Sequence, residues 1–198
     1  MADATPLNLV AICGSFRADS FNGSLLRAAQ RLVGEGVTMT QIDITDVPLF
    51  NQDVEAAGDP KSVTTLKTAV KDSNGVLIVT PEYNWGVPAV TKNAVDWLSR
   101  PFMNGSIKGK PVALAGATLG RGAVANCLRH LSESVAILSD GLFSNTHGVG
   151  GVTDLMDDGE FANHDACVEL AAWLAEFAEH ARSHNAAVAA AVALVDGA

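Results

Sequence analysis

Two short stretches hold most of the side chains able to do chemistry. The first is Gly14-Ser15-Phe16-Arg17-Ala18-Asp19-Ser20-Phe21-Asn22. Ser15, Ser20 and Asn22 offer short hydrogen-bond donors, and Arg17 a forked, permanently charged one. A helix opening near Asn22 would point its first N–H groups outward without partners, and its dipole would add partial positive charge there. That donor set suits a phosphate. Ser20 or Asn22 can also act simply as a helix cap, but capping accounts for one residue and not for the cluster with its arginine. The G-K-S/T ending of a triphosphate loop is missing, as is a G-x-G-x-x-G dinucleotide fingerprint.

The second stretch is Thr80-Pro81-Glu82-Tyr83-Asn84-Trp85-Gly86-Val87-Pro88. It gathers two aromatics, an amide, a carboxylate and two stiffening prolines. A flat heterocycle needs a rigid rim of backbone amides and some aromatic surface, which this loop can supply. An ordinary turn with Tyr83 and Trp85 packed inward uses the same composition. No G-x-S-x-G elbow is present, so a serine hydrolase would lack its nucleophile.

The elements that must position these stretches alternate. Leu7–Cys13 is a nearly unbroken apolar run, expected to be a strand buried on both faces. Asn22–Val33 has helical spacing, Val37–Ile44 alternates as a second strand, and Val47–Asp59 reads as a loop. Pro60 opens a helix to about Lys71. The run Gly75–Thr80 is the clearest strand, followed by a helix from Pro88 to Leu98. A strand over Pro111–Ala117, a helix over Val124–Leu138, a strand over Leu142–Thr146 and a helix over His164–Arg182 complete the pattern. Strands separated by helices predict an α/β fold: a five-stranded parallel sheet with helices on both faces. In such sheets ligands bind at the carboxyl edge, where both stretches would lie.

With the motifs so placed, GSFRADSFN (14–22), PLFNQD (48–53), TPEYNWGVPAVTKNAVDWLSRP (80–101) and the loop near Gly116 resemble the NADPH-dependent FMN reductase family. This flavodoxin-like group includes quinone, azo-dye and chromate reductases, and the resemblance runs through residues 7–182. It implies FMN as cofactor, NADPH or NADH as donor and a small-molecule electron acceptor, in a ping-pong cycle. It also implies a homodimer or homotetramer. Ser15, Arg17, Ser20 and Asn22 would hold the FMN phosphate, with Phe21 also at the cofactor. Pro81, Glu82, Tyr83 and Asn84 would border the isoalloxazine ring, largely through backbone groups, and Gly116, Thr118 and Gly120 would flank its other edge. The family pattern often has two adjacent glycines where this chain has Arg121-Gly122. An arginine there would strain the loop if a positive φ is required, or would be free to reach a dinucleotide phosphate or a partner subunit. A flavodoxin-like electron carrier is the competing reading, but the P-E-Y-N block resembles enzymes that react with nicotinamide directly.

The 198 residues are read as one FMN-binding domain, 1–183, followed by an Ala-rich tail, 184–198, that either extends the last helix or frays. A net charge of -9 argues against nucleic acid and against anionic membranes. The longest apolar run, Ala186 to Val195, is too short to span a bilayer, and Met1–Pro6 lacks the marks of a signal peptide. Three cysteines without metal spacing predict buried, reduced thiols in a cytoplasmic protein. His180 and His184, four apart on a helix, are expected to be a solvated pair with no metal. His147 lies nearer the ligand edge than His130.

Overall fold

The computed structural model describes residues 6–196, so the leader reading over 1–5 and the last two tail residues fall outside it. The chain runs β1 (Leu7–Cys13), α1 (Phe21–Leu32), β2 (Val37–Ile42), α2 (Gln52–Ala57), α3 (Lys61–Asp72), β3 (Gly75–Val79), α4 (Ala89–Leu98), β4 (Pro111–Ala117) and α5 (Ala125–Ser139). It ends with β5 (Gly141–Leu142), β6 (His147–Val149), a small hairpin of β7 (Met156–Asp157) and β8 (Glu160–Phe161), and α6 (His164–Asp196). The main sheet is parallel with order β2-β1-β3-β4-β5. From β1 the chain steps one way to β2 and the other way to β3. The order therefore reverses at β1, and the crevice between the carboxyl ends of β1 and β3 is the switch point.

Alternation along the strands divides the core in two. Leu9, Ala11, Leu77 and Val79 meet Leu25 and Leu26 of α1 and Trp173 and Phe177 of α6. Val10, Ile12, Val76 and Ile78 meet Leu66 and Val70 of α3, Leu98 of α4 and Leu128 of α5. Every residue of β3 and β4 is buried, as a sheet covered on both faces requires.

Three expectations are corrected. The 47–59 loop contains α2, capped by the Asn51 side chain on Asp53 N–H at 2.8 Å; it buries no residue, so no apolar stripe announces it. It is tethered through Glu55, whose carboxylate accepts from Arg100 Nε at 2.9 Å in an ion pair.

The expected strand over Leu142–Thr146 is instead two pieces along one edge. Leu142 pairs with Val112 and His147 with Ala115. The edge chain thus spends two more residues than β4 over the same interval; Phe143, whose N–H still donates to Val112 O at 2.8 Å, leans its ring on Trp173 and Phe177. Nor are His180 and His184 solvated: their Nε2–H groups donate to Gly141 O and Gly109 O, each at 3.1 Å.

Helix α6 continues unbroken through the Ala-rich segment to Asp196. Its buried face ends at Ala181, and Val188, Val192 and Leu194 stand exposed.

Candidate functional site

The turn after β1 starts at a glycine for a steric reason. A Cβ on Gly14 would land on the hydroxyls of Thr91 and Thr80, which hydrogen-bond each other at 2.8 Å. Gly14 N–H donates to Val79 O at 2.8 Å, so this turn leaves the sheet against the end of β3. Ser20 caps α1, its Oγ accepting Gly23 N–H at 3.2 Å. The capping role is real, yet a hydroxyl that accepts keeps its own proton to donate. Asn22 is 3% exposed and grips the Ala117 peptide at both ends: its Oδ1 accepts Ala117 N–H and its Nδ2 donates to Ala117 O, both at 2.9 Å. It is chiefly a clamp between α1 and the end of β4. Arg17 lies over the Phe21 ring, 6.0 Å from the centroid. Among the described residues its guanidinium has no ion-pair partner, and the N–H groups of Ser15, Phe16 and Arg17 have no protein acceptor.

The turn after β3 closes on itself. Tyr83 and Gly86 exchange hydrogen bonds of 3.2 and 3.0 Å around Asn84 and Trp85, both left-handed with φ of 48° and 64°. This is the geometry of a type I′ turn, easy for Asn and costly for Trp. Tyr83 and Trp85 are exposed and not packed inward. The Glu82 carboxylate turns away from its own loop and accepts Cys127 N–H at 2.8 Å.

Gly116, expected in the loop after β4, is a residue of β4 itself. Its missing Cβ lets Thr80 O approach, and Thr80 N–H donates to Ala115 O at 2.9 Å. Thr118 N–H donates to Val149 O at 2.9 Å, and its Oγ1 accepts Gly120 N–H at 3.4 Å. The left-handed residues of this segment are Ala123 and Val124, with φ of 49° and 52°. Arg121 is not among them, so an arginine meets no conformational penalty there.

These turns enclose a cleft of about 210 Å³ at the switch point. Ser15, Arg17, Ser20, Phe21 and Asn22 form one wall; Pro81, Glu82 and Tyr83 form the second; Ala117, Thr118 and Leu119 form the third. Of the residues expected at the cofactor, Asn84, Gly116 and Gly120 do not line it. Asn84 sits at the hairpin tip, Gly116 is covered inside the sheet, and Gly120 lies beyond Thr118 on the exposed rim. Ala117 and Leu119, inside the 116–122 segment expected at the ring's edge but not singled out there, also line it; a small and an apolar residue carry no chemical signal in a sequence.

Burial, assisted by the Glu82 charge, pushes the Cys127 thiol up to about 11 against the lowering effect of the Thr80 hydroxyl. Burial likewise raises Cys13. Both are buried thiols, whereas Cys167 is only half-buried. The His147 ring lies tilted against Trp173, centroids 5.2 Å apart, outside the cleft lining, and burial lowers its pKa. A larger hollow of about 480 Å³ beside the end of α4 is lined by Lys67, Lys71, Arg100, Lys108 and Lys110. Lys67 pairs with Asp59, Arg100 with Glu55 and Lys108 with Asp140, while Lys110 donates to Lys71 O and Ser73 O. Those charges are largely answered from within the chain.

Switch-point topology, a donor-lined turn at a helix N-terminus and a second, amide-bearing turn beside it define the flavodoxin-like class of flavoenzymes. A similar architecture is that of FerB, a flavoenzyme NAD(P)H:(acceptor) oxidoreductase from Paracoccus denitrificans. It matches with a TM-score of 0.77 at 28% identity, covering 90% of this chain and 98% of that one. The model of the NADPH-dependent FMN reductase family matches residues 7–148, and the chain belongs to that family. Among relatives, an NAD(P)H-dependent FMN reductase of Pseudomonas aeruginosa is 37% identical over 132 residues, 67% of this chain and 71% of that protein. A quinone reductase of Escherichia coli strain K12 is 33% identical over 178 residues, 87% of this chain and 94% of that protein.

Proposed function

We propose that this protein is an FMN-dependent oxidoreductase that takes reducing equivalents from NADPH or NADH and passes them to a small acceptor: a quinone, azo compound, metal oxyanion or free flavin. The observation that carries this reading is the switch-point cleft at the start of α1, where among the described residues the Ser15–Arg17 amides have no protein acceptor and the Arg17 guanidinium no ion pair. That donor set fits a phosphate. The cleft is smaller than the ~300–1,000 Å³ of a pocket that encloses a whole ligand, which fits a cofactor whose ring stays open to reactants.

FMN, when bound, supplies the hydride acceptor and the electron donor, so the chain need not provide a nucleophile or a strong acid. The work of its residues is placement. Ser15, Arg17 and Ser20 bind the phosphate, helped by the α1 dipole. Phe21 supports Arg17, and Asn22 keeps α1 in register with β4. Pro81, Glu82 and Tyr83 on one side and Thr118 on the other present backbone groups to the ring. Asn84 and Gly120 act by shaping their turns, and Gly116 by letting β3 and β4 approach. Preorganised N–H dipoles of this kind stabilise negative charge without rearranging. The exposed Tyr83 and Trp85 rings and the apolar Leu119 give planar acceptors a surface to stack on.

The proposal extends to a cytoplasmic homo-oligomer. Three free cysteines among the described residues support a reducing compartment. The exposed Leu49, Phe102 and Met103 support a subunit contact. Among the described residues no helix is long and apolar enough to cross a membrane.

The deciding experiment is the visible spectrum of the purified protein, followed by anaerobic titration with each nicotinamide. A flavin band bleached by NADPH or NADH alone is expected. A colourless protein indifferent to added FMN refutes the reading, and a bound flavin that neither nicotinamide reduces makes the protein an electron carrier.

A further inference from the structure

Helix α5 begins without a cap of its own. Its N-cap residue is Val124, left-handed and without a side-chain hydrogen bond, at a position where Ser, Thr, Asp or Asn would normally satisfy a free N–H. Val124 is 1% exposed and belongs to the core beneath the sheet, so packing claims the side chain that capping would have used. The missing acceptor arrives from another loop. Glu82 Oε2 takes Cys127 N–H at 2.8 Å, the third helical N–H and one of the orphan donors, while Oε1 stands 3.5 Å from Asn126 Nδ2. Glu82 also lines the cleft.

We infer that Glu82 is a positioning residue: its carboxylate caps α5 from the neighbouring turn and so fixes the spacing between the 81–86 turn and the 118–124 loop, the two walls assigned to the flavin ring. The inference rests on the flavin reading of that cleft. A carboxylate inside a site for an anionic cofactor is otherwise out of place, since it would repel the phosphate. Turned onto the positive end of a helix, its charge is answered there. Asn22 ties the phosphate wall to β4 in the same manner, with a side chain holding another element's backbone. The three walls are thus joined by side-chain clamps, as a site that must hold its geometry before the ligand arrives requires.

The test uses the flavin-free full chain and its Glu82→Ala and Glu82→Gln variants. Hydrogen exchange resolved at residues 125–128 reads the clamp without any cofactor, and FMN titration reads its consequence. Glu82→Ala is expected to speed Cys127 N–H exchange at least tenfold and to weaken FMN binding about tenfold. Glu82→Gln keeps an acceptor oxygen and is expected to restore most of both. Unchanged Cys127 exchange in Glu82→Ala, or fast exchange with undiminished FMN affinity, overturns the inference, as does a Gln variant no better than Ala. If the wild-type chain binds no FMN, the cofactor reading and this role fall together, while the exchange data still report whether the cap exists. Thermal unfolding of all three forms separates local loosening from failure to fold.

Discussion

Single side chains at the cleft divide into those that face the ligand and those that hold backbone. Arg17 is of the first kind: among the described residues it has no ion pair to lose, only its place over the Phe21 ring. Arg17→Ala should leave stability within about 0.5 kcal/mol of wild type. It should remove a charge-assisted phosphate contact of about 1.5–3 kcal/mol, lowering FMN affinity roughly ten- to a hundredfold. Flavin retained on dialysis, compared between the two proteins, measures it. Asn22 is of the second kind. Asn22→Ala strands a buried N–H and a buried carbonyl of Ala117, and should lower unfolding free energy by about 1–3 kcal/mol for each unsatisfied group in urea denaturation. A variant as stable as wild type would show that the clamp contributes nothing.

Between elements, the crossing of β3 and β4 is set by one missing methyl group. Gly116→Ala would place a Cβ on Thr80 O, a backbone atom that cannot swing away. Thermal melting should show destabilisation of about 1–3 kcal/mol, the usual range for overpacking, and the displaced Thr80 should carry the 81–86 turn with it and weaken FMN binding. Much of this layout is legible in the chain: the GVLIVT run, the Gly14 turn and the order of elements all announce themselves by composition and period. The elements that escaped did so for physical reasons. Helix α2 buries nothing, so periodicity has no stripe to follow. The broken edge strand depends on a register with β4 that only the folded sheet defines. The Glu82–Cys127 contact spans 45 positions and is written in neither residue alone.

For the molecule as a whole, acid is expected to act through groups buried neutral or paired charged. Burial holds the pKa of His147 below its unfolded value of about 6.5. The native state therefore binds fewer protons. His147 favours folding fully above that value, and the benefit is lost as pH falls toward the folded pKa. Glu160, whose carboxyl is lowered chiefly by its hydrogen bond to Arg27, adds a loss at more acid pH, through the carboxylate range. Urea midpoints should fall on going from pH 7 to pH 5, and fall less in His147→Phe, which keeps an aromatic ring against Trp173. Equal slopes in the two proteins would remove His147 as the source.

The exposed end of α6 has a practical meaning for how the molecule can be held. His184 reaches Gly109 just ahead of β4, and Asn185 Nδ2 donates to Asn74 O just ahead of β3, so this end of the helix stands at the amino edge of the sheet. The cleft opens at the carboxyl edge. Residues 186–196 add eleven residues of helix past that point, a rod of roughly 16 Å at 1.5 Å per residue. A thiol introduced by Leu194→Cys would tether the protein to an electrode or a bead with its reactive mouth turned outward, and turnover on such a support should match turnover in free solution.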